Sequence, residues 1–274
     1  AATVDFSGVT PSVTGSQSVT FSDPNSPQGT YGPYDGFRGP VTESYTFDWT
    51  GTAGSCVSKT NTATLSTGAK GDAVVSVCSA LPLTVTKTAA SSITRTYKWK
   101  IVKSAPNGLT YGPTLASTVT VPYTVTLSPD GYTDSLWSVT GVITVTNPND
   151  WEAVTVKSVT DQLDASIGGT CTVTGGTTAK TLTAKGTAGA TATYAYACTL
   201  PITGPTGYSG NNTATATWDA TAAHTGTTAS ATGQAAVNFE TGAVTKVNQV
   251  ITVNDQVAGS TAKLLGTVDW FTGI

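Results

Sequence analysis

The chain has 274 residues and a mass of 27.7 kDa, enough for two domains that each bury a core. Only 11% of its residues are charged and the formal net charge is -3, so it has no basic face to neutralise a run of phosphates, which excludes nucleic acid from the expected partners. No stretch of 18 apolar residues occurs, and no membrane-spanning helix is expected.

Thr supplies about a fifth of the residues, Val, Ala, Gly and Ser most of the rest, and Met is absent. β-Branched residues lose χ1 freedom in helices and fit pleated sheets, so the composition predicts strands joined by Gly-rich turns. The first residues, AATV, are the kind of end that signal-peptidase cleavage leaves, and they give the expectation of an exported chain.

In chain order, apolar residues at spacing two predict strands at SVTFSD (18–23), YTFDWTG (45–51), AVVSVC (73–78), LTVTKT (83–88) and RTYKWKIVK (95–103). The pattern continues at STVTVPYTVTL (117–127), WSVTGVITVTN (137–147), AVTVKSVTD (153–161) and ATATYAYAC (190–198). Between these lie turn sequences: DPNSPQG, PNG, SPDGY, NPND, two GG pairs and ITGPTGYSGNN. Strands about ten residues apart with such breaks predict antiparallel sandwiches and no helix. A module boundary is expected at 88–94.

Four cysteines fall as two near pairs, Cys56 with Cys78 and Cys171 with Cys198. Of the three pairings open to them, the local one gives each domain one bridge; neither pair is CxxC, which argues against zinc and redox roles. Two structural disulfides imply an oxidising, extracellular location.

Residues able to carry chemistry are few. His224 is the only histidine and reads as a loop residue, since a triad or imidazole metal site would rest on it alone. Glu43, Glu152 and Glu240 are the only glutamates and are scattered, so a carboxylate pair for glycoside hydrolysis is not expected. Asp130 with Asp134, and Asn149 with Asp150 and Glu152, place oxygens close together without calcium-loop spacing, and read as turn formers. In TYGPYDGFRGP (30–40), Tyr31, Tyr34, Phe37 and Arg38 offer either packing over a sandwich end or a contact for a glycan or partner. Asn211 heads the one N-x-S/T acceptor, NNT, and the Thr abundance offers further sites for sugars.

The end of the chain repeats its beginning. AAVNFETGAVTKVNQVITVND (235–255) aligns with AATVDFSGVTPSVTGSQSVTFSD (1–23), and CSALPLT (78–84) is echoed by CTLPIT (198–203). Three modules are therefore expected, at 1–88, 89–235 and 236–274, the last incomplete.

VTKTAASSITRTYKWKIVKSA, VPYTVTLSPDGYTDSLWSVTGVITVTNPNDWEAVTVKSVTDQL, GTCTVTGG, YACTLP and NTATATW, in that order, resemble β-sandwich modules, immunoglobulin-like or prealbumin-like. Such modules occur as tandem repeats in long exported bacterial surface proteins. The resemblance covers about 84–218, and the flanking segments resemble a module that alternates with it. It implies that the cysteines before GG and before LP bridge the sandwich, which pairs Cys171 with Cys198. Ser18, Val250 and Asp269 stand where that family often has cysteine, and the resemblance supplies no catalytic residues.

The expected protein is thus all-β, a row of antiparallel immunoglobulin-like sandwiches whose terminal strands complete a module in a neighbouring subunit or repeat. It is expected to be a non-enzymatic, cofactor-free subunit of an extracellular bacterial fibre, with other copies of itself as partners and glycans as a further one. Val4, Phe6, Val13, Val19 and Phe21 at one end, and Val247, Val250, Ile251, Val253, Val268, Trp270 and Ile274 at the other, are the expected junction. The alternatives are one window of a long repetitive adhesin or stalk, and a carbohydrate-binding module.

Overall fold

A computed structural model describes residues 17–36, 38–106 and 120–272. Among these, every regular element is a β-strand, in several sheets that are antiparallel except at one pairing, and no helix forms. The chain divides into two compact units.

The described part of the chain up to Leu81 makes the first unit, with Pro148–Glu152 and Ala184–Gly186. Its sheet has the order β2-β1-β3-β4, from β1 (Ser18–Ser22), β2 (Thr30–Asp35), β3 (Ser55–Leu65) and β4 (Lys70–Ser79). DPNSPQG makes the turn between β1 and β2: the Asn25 amide donates to Asp23 Oδ1 at 3.0 Å, and Gly29 takes φ +70°, which a side chain would resist. Cys56 faces Cys78 across β3 and β4 and is bonded to it. Asn149 and Asp150 are structural here. Asn149 bonds both backbone groups of Leu81, and Asp150 accepts from the Ser55 hydroxyl and the Cys56 amide.

The expected strand at 45–51 does not form. That segment is attached through side chains rather than a ladder: Tyr45 donates to Asp23, while Tyr34 donates to Glu43 at 2.6 Å. Alternation reports which side chains turn inward, and a segment held by side-chain hydrogen bonds satisfies that pattern without pairing.

In the second unit, one sheet has the order β10-β8-β12-β13, from β8 (Val154–Leu163), β10 (Lys180–Leu182), β12 (Ser209–Trp218) and β13 (Ser230–Asn238). The other has the order β14-β6-β7-β11-β9, from β6 (Ala90–Ser104), β7 (Thr124–Thr146), β9 (Thr170–Val173), β11 (Thr191–Thr199) and β14 (Ala243–Val247); β5 (Thr84–Lys87) also pairs with β7. Both sheets contribute to one core that includes Ile143, Val145, Val156, Ile167, Leu182 and Trp218, an arrangement compatible with a β-sandwich. Burial alternates with period two. On β12, Asn212, Ala214, Ala216 and Trp218 point inward, while Thr213, Thr215 and Thr217 lie on the other face. There, hydroxyls meet across strands: Ser158 with Thr217 at 2.7 Å and Thr155 with Thr181 at 2.8 Å. Gly233 is required where β13 meets β5, because a Cβ would lie 2.7 Å from the Val85 carbonyl oxygen.

Two expectations change. SPDGY is not a turn but a bulge inside the 23-residue β7, where the register shifts between Tyr97 and Trp99 and Gly131 takes φ +76°. Cys171 and Cys198, which are bonded, face each other on β9 and β11 of one sheet, so the bridge ties neighbouring strands rather than the two layers. The sandwich strands run on through β13 and β14, and a separate hairpin, β15 (Val250–Asp255) with β16 (Lys263–Asp269), follows.

Ile143 has no solvent exposure, whereas Ile202 is 93% exposed. Ile143→Ala is expected to cost about 2–5 kcal/mol, seen as a lower urea midpoint at unchanged slope, and Ile202→Ala less than about 0.5 kcal/mol. Equal midpoints for the two variants would remove Ile143 from the core.

Candidate functional site

Fibre assembly needs unpaired strand edges and uncovered apolar surface, and each unit has both. In the first unit β2 and β4 are the outer strands of the sheet. Val74 and Val75 on β4 are 64% and 45% exposed, and Tyr31 is the only large apolar side chain buried among the described residues of this unit. A groove of about 420 Å³ runs beside Phe21, Val41, Ala63, Leu65 and Ala69.

Of the expected N-terminal junction residues, Val19 and Phe21 lie on β1, half-buried. Val4, Phe6 and Val13 lie outside the described residues, as do Ile274 and Phe37. Tyr31 is taken up by its own unit: its ring stacks on Phe21 at 4.8 Å, and Tyr34 lies 6.1 Å from the same ring. The hydrogen bond to Glu43 pushes the Tyr34 hydroxyl up to about 12. Asn211 is exposed on β12, its amide donating to Asp164 Oδ2 at 2.7 Å.

The second surface is the C-terminal hairpin. Ladder pairing of β6 with β7 extends past the core to Ser104 and Thr124. The hairpin packs on this extension: Trp270 lies 5.0 Å from Tyr97 and 5.2 Å from Trp99, and the Trp99 indole N–H donates to the Asn248 carbonyl at 2.8 Å. Val253 and Val268 are buried and line a small cavity of about 70 Å³ with Val125, Leu127 and Leu265. Ile251 and Trp270 are half-buried. Val250 and Leu264 of the hairpin are exposed, as is Val247 on β14, while Phe271, 65% exposed, still meets the Tyr97 ring at 5.8 Å. Among the described residues β15 and β16 pair only with each other, so both outer edges keep unpaired backbone groups. A period of two sets Val250 and Val253 on opposite faces of β15, and the packed arm decides which of them turns inward.

Charges fasten the hairpin. Lys103 pairs with Asp255 and holds its carboxyl below the ordinary value of 3.8. The Phe271 amide, donating at 2.8 Å, does the same for Asp269, helped by Gln249. Val250 stands directly opposite Asp269 in the ladder.

Other candidates resolve into structural roles. Asp134 forms a two-point ion pair with Arg95, at 2.7 and 2.8 Å, which raises the guanidinium's proton affinity. His224 sits in a turn at φ +51°. Asp161, Cys171 and Cys198 lie together, but the disulfide has consumed both thiolates, so they do not make a thiolate metal centre. Lys87, paired with Asp161 and lying 3.9 Å from the centre of the Tyr196 ring, is a buried charge that strand patterning did not mark.

Trp270→Ala is expected to release the hairpin alone, with faster amide exchange over 250–255 and unchanged exchange in β11 and β12; uniform acceleration would make the hairpin part of the core. Because Asp255 and Asp269 have lowered proton affinity in the folded chain, their contribution is complete above the ordinary carboxylate range and lost as pH falls through the lowered values. Protection of the hairpin amides is therefore expected to fall, relative to that of the sandwich, as pH drops below the ordinary carboxylate range.

Comparison with protein-family models, curated proteins and solved structures finds no match for this chain.

Proposed function

We propose that the protein is a non-enzymatic structural subunit of an extracellular bacterial filament, built of immunoglobulin-like modules and joined head to tail by strand complementation. One observation carries this reading. The first unit and the C-terminal hairpin both present open strand edges and bare apolar side chains, among them Val74, Val75, Val250 and Leu264. Exposed edges of this kind promote association unless covered or charged, and the charged residues of β4, Lys70 and Asp72, and of β15, Asp255, stand at one end of each strand beside a Val-rich stretch. A contact between two different surfaces of identical chains makes a fibre when its rotation does not close a ring.

Further features support the reading. The disulfides are consistent with an extracellular protein. The resemblance to tandem surface modules implies the same class of role. The echo between residues 1–23 and 235–255 fits a junction at which one copy supplies strands the next requires. The same features fit one window of a longer covalent repeat, which the following measurement separates.

Purified native material is to be imaged by electron microscopy, then boiled in denaturant with reductant and sized on a gel. Filaments that release a species near 27.7 kDa, apart from attached glycan, are the expected result. Dispersed particles, or a far larger band that does not dissociate, would overturn the reading. Val250→Glu with Leu264→Glu is expected to give folded monomers and no filaments; filaments of normal length from this variant would move the junction elsewhere.

A further inference from the structure

Between its two apolar clusters, the ladder of β6 and β7 leaves a pocket open. At one end Trp137 belongs to the core, and at the other Tyr132 meets Tyr97, the residue that receives Trp270. The pocket between them has a volume of about 250 Å³ and is walled in part by Arg95, Tyr132, Asp134, Trp137, Tyr208 and Glu240. All six belong to the second unit. Their positions are fixed by the fold: Arg95 stands directly opposite Asp134 in the ladder, the Phe239 amide donates to the Tyr208 carbonyl at 2.8 Å, and the Trp137 ring lies 5.6 Å from that of Tyr208. Groups held in place before a ligand arrives lose little freedom when it binds.

The ion pair that fastens β6 to β7 has bonding capacity left over. It uses Arg95 Nε and one terminal nitrogen, each donating to a different oxygen of Asp134, whereas a guanidinium has further N–H groups and each carboxylate oxygen can accept twice. The two side chains are 28% and 16% exposed, so solvent reaches both. Glu240, which is exposed, adds a second carboxylate. Tyr132 and Tyr208 are each half exposed. The Arg95 guanidinium already lies over the Tyr132 ring, 4.0 Å from its centre, which leaves Tyr208 as the ring with a face to offer.

Charge and size narrow the ligand. Arg95 and Asp134 cancel, and Glu240 leaves the wall negative, which disfavours phosphate, sulfate or a sugar acid. A cation would find Asp134 already paired and the Tyr132 ring already covered by Arg95. The volume falls below the range of about 300–1,000 Å³ that takes drug-sized molecules, so the pocket suits one small ring. An aromatic face beside converging donors and acceptors matches a pyranose, whose C–H face is apolar and whose hydroxyls each donate and accept.

We propose that this pocket binds a single neutral sugar ring, its C–H face on Tyr208 and its hydroxyls bonded to Arg95, Asp134 and Glu240. The site lies within one unit of one chain and does not depend on filament assembly. It is also separate from the tyrosines of the first unit.

The test is an array of immobilised neutral, acidic and quaternary-ammonium-bearing glycans, probed with the whole purified chain before and after release of any attached sugar. Retention on neutral glycans, competed by free hexose at concentrations on the order of millimolar, is the expected result. Retention without sugar release assigns the site to sugars from outside, and retention only after release assigns it to sugars carried by neighbouring copies; both uphold it. Tyr208→Ala and Glu240→Gln are each expected to weaken retention about tenfold at an unchanged urea midpoint; Arg95 and Asp134 are left intact because they also tie β6 to β7. Should Tyr208→Ala fail to fold, Glu240→Gln still decides. No retention on any neutral glycan overturns the proposal, as does retention on acidic or quaternary-ammonium-bearing glycans alone. Retention of neutral glycans that neither variant weakens places the sugar elsewhere and overturns this site.

Discussion

The antiparallel ladder between β6 and β7 is the interaction on which the second unit depends. Over its inner part, it presents Ile93, Trp137 and Val139 to the core. Beyond the bulge at Pro129 and Tyr132, it becomes an arm whose Tyr97 and Trp99 receive the C-terminal hairpin. A bulge adds residues to one strand without ending the pairing, so twist and facing change while the hydrogen-bond ladder persists. One strand pair therefore serves two apolar clusters. Its outer part is narrow, and its exposed Ile101, Val102 and Tyr123 lie along the arm whose Val125 and Leu127 line the hairpin cavity.

The rest of the chain shows how a sheet protein can be built with so few charges. Thr occupies the outward positions of β12 and pairs by its hydroxyl with its neighbours, which leaves Val, Ala and aromatic residues to face inward. Small inward residues let the layers approach closely, as Ala214 and Ala216 do at no exposure. Where the approach is closest even Ala is too large, and Gly233 against Val85 is the result. The charges that do occur are local fastenings at edges and arms, with Lys87 and Asp161 the exception.

Much of the fold was legible because a period of two survives any arrangement of the strands. The β5, β8 and β11 sequences announce themselves, and the turn at DPNSPQG follows from Asp23 and Gly29. Legibility failed where the same letters have two meanings. Pro, Asp and Gly at 129–131 mark a turn or a bulge, and only the partner strand decides. YTFDWTG has a strand's alternation but hangs from Asp23 and Glu43 by its tyrosine contacts. The local cysteine pairing could be read from spacing, yet not that each bond lies within a sheet. The lysine and aspartate at 87 and 161 could not be associated at all, since their meeting depends on which strands face each other across the core. Of the expected junction, spacing identified Val250 and Val268 as apolar but could not tell that one turns outward and the other in.

The one parallel strand pairing among the described residues has a mechanical meaning. β14 lies along β6 from Ala243 beside Ser92 to Val247 beside Thr96, and the chain turns at Asn248, whose φ is +58°, before it enters the hairpin. Tension applied along β14 would load the bonds between β14 and β6 in shear, so that they share the force instead of parting one after another as in a peeled strand. Loading in this geometry makes five residues yield together. A short strand at the margin of a sheet would thus behave as a clasp, strongest along its own axis.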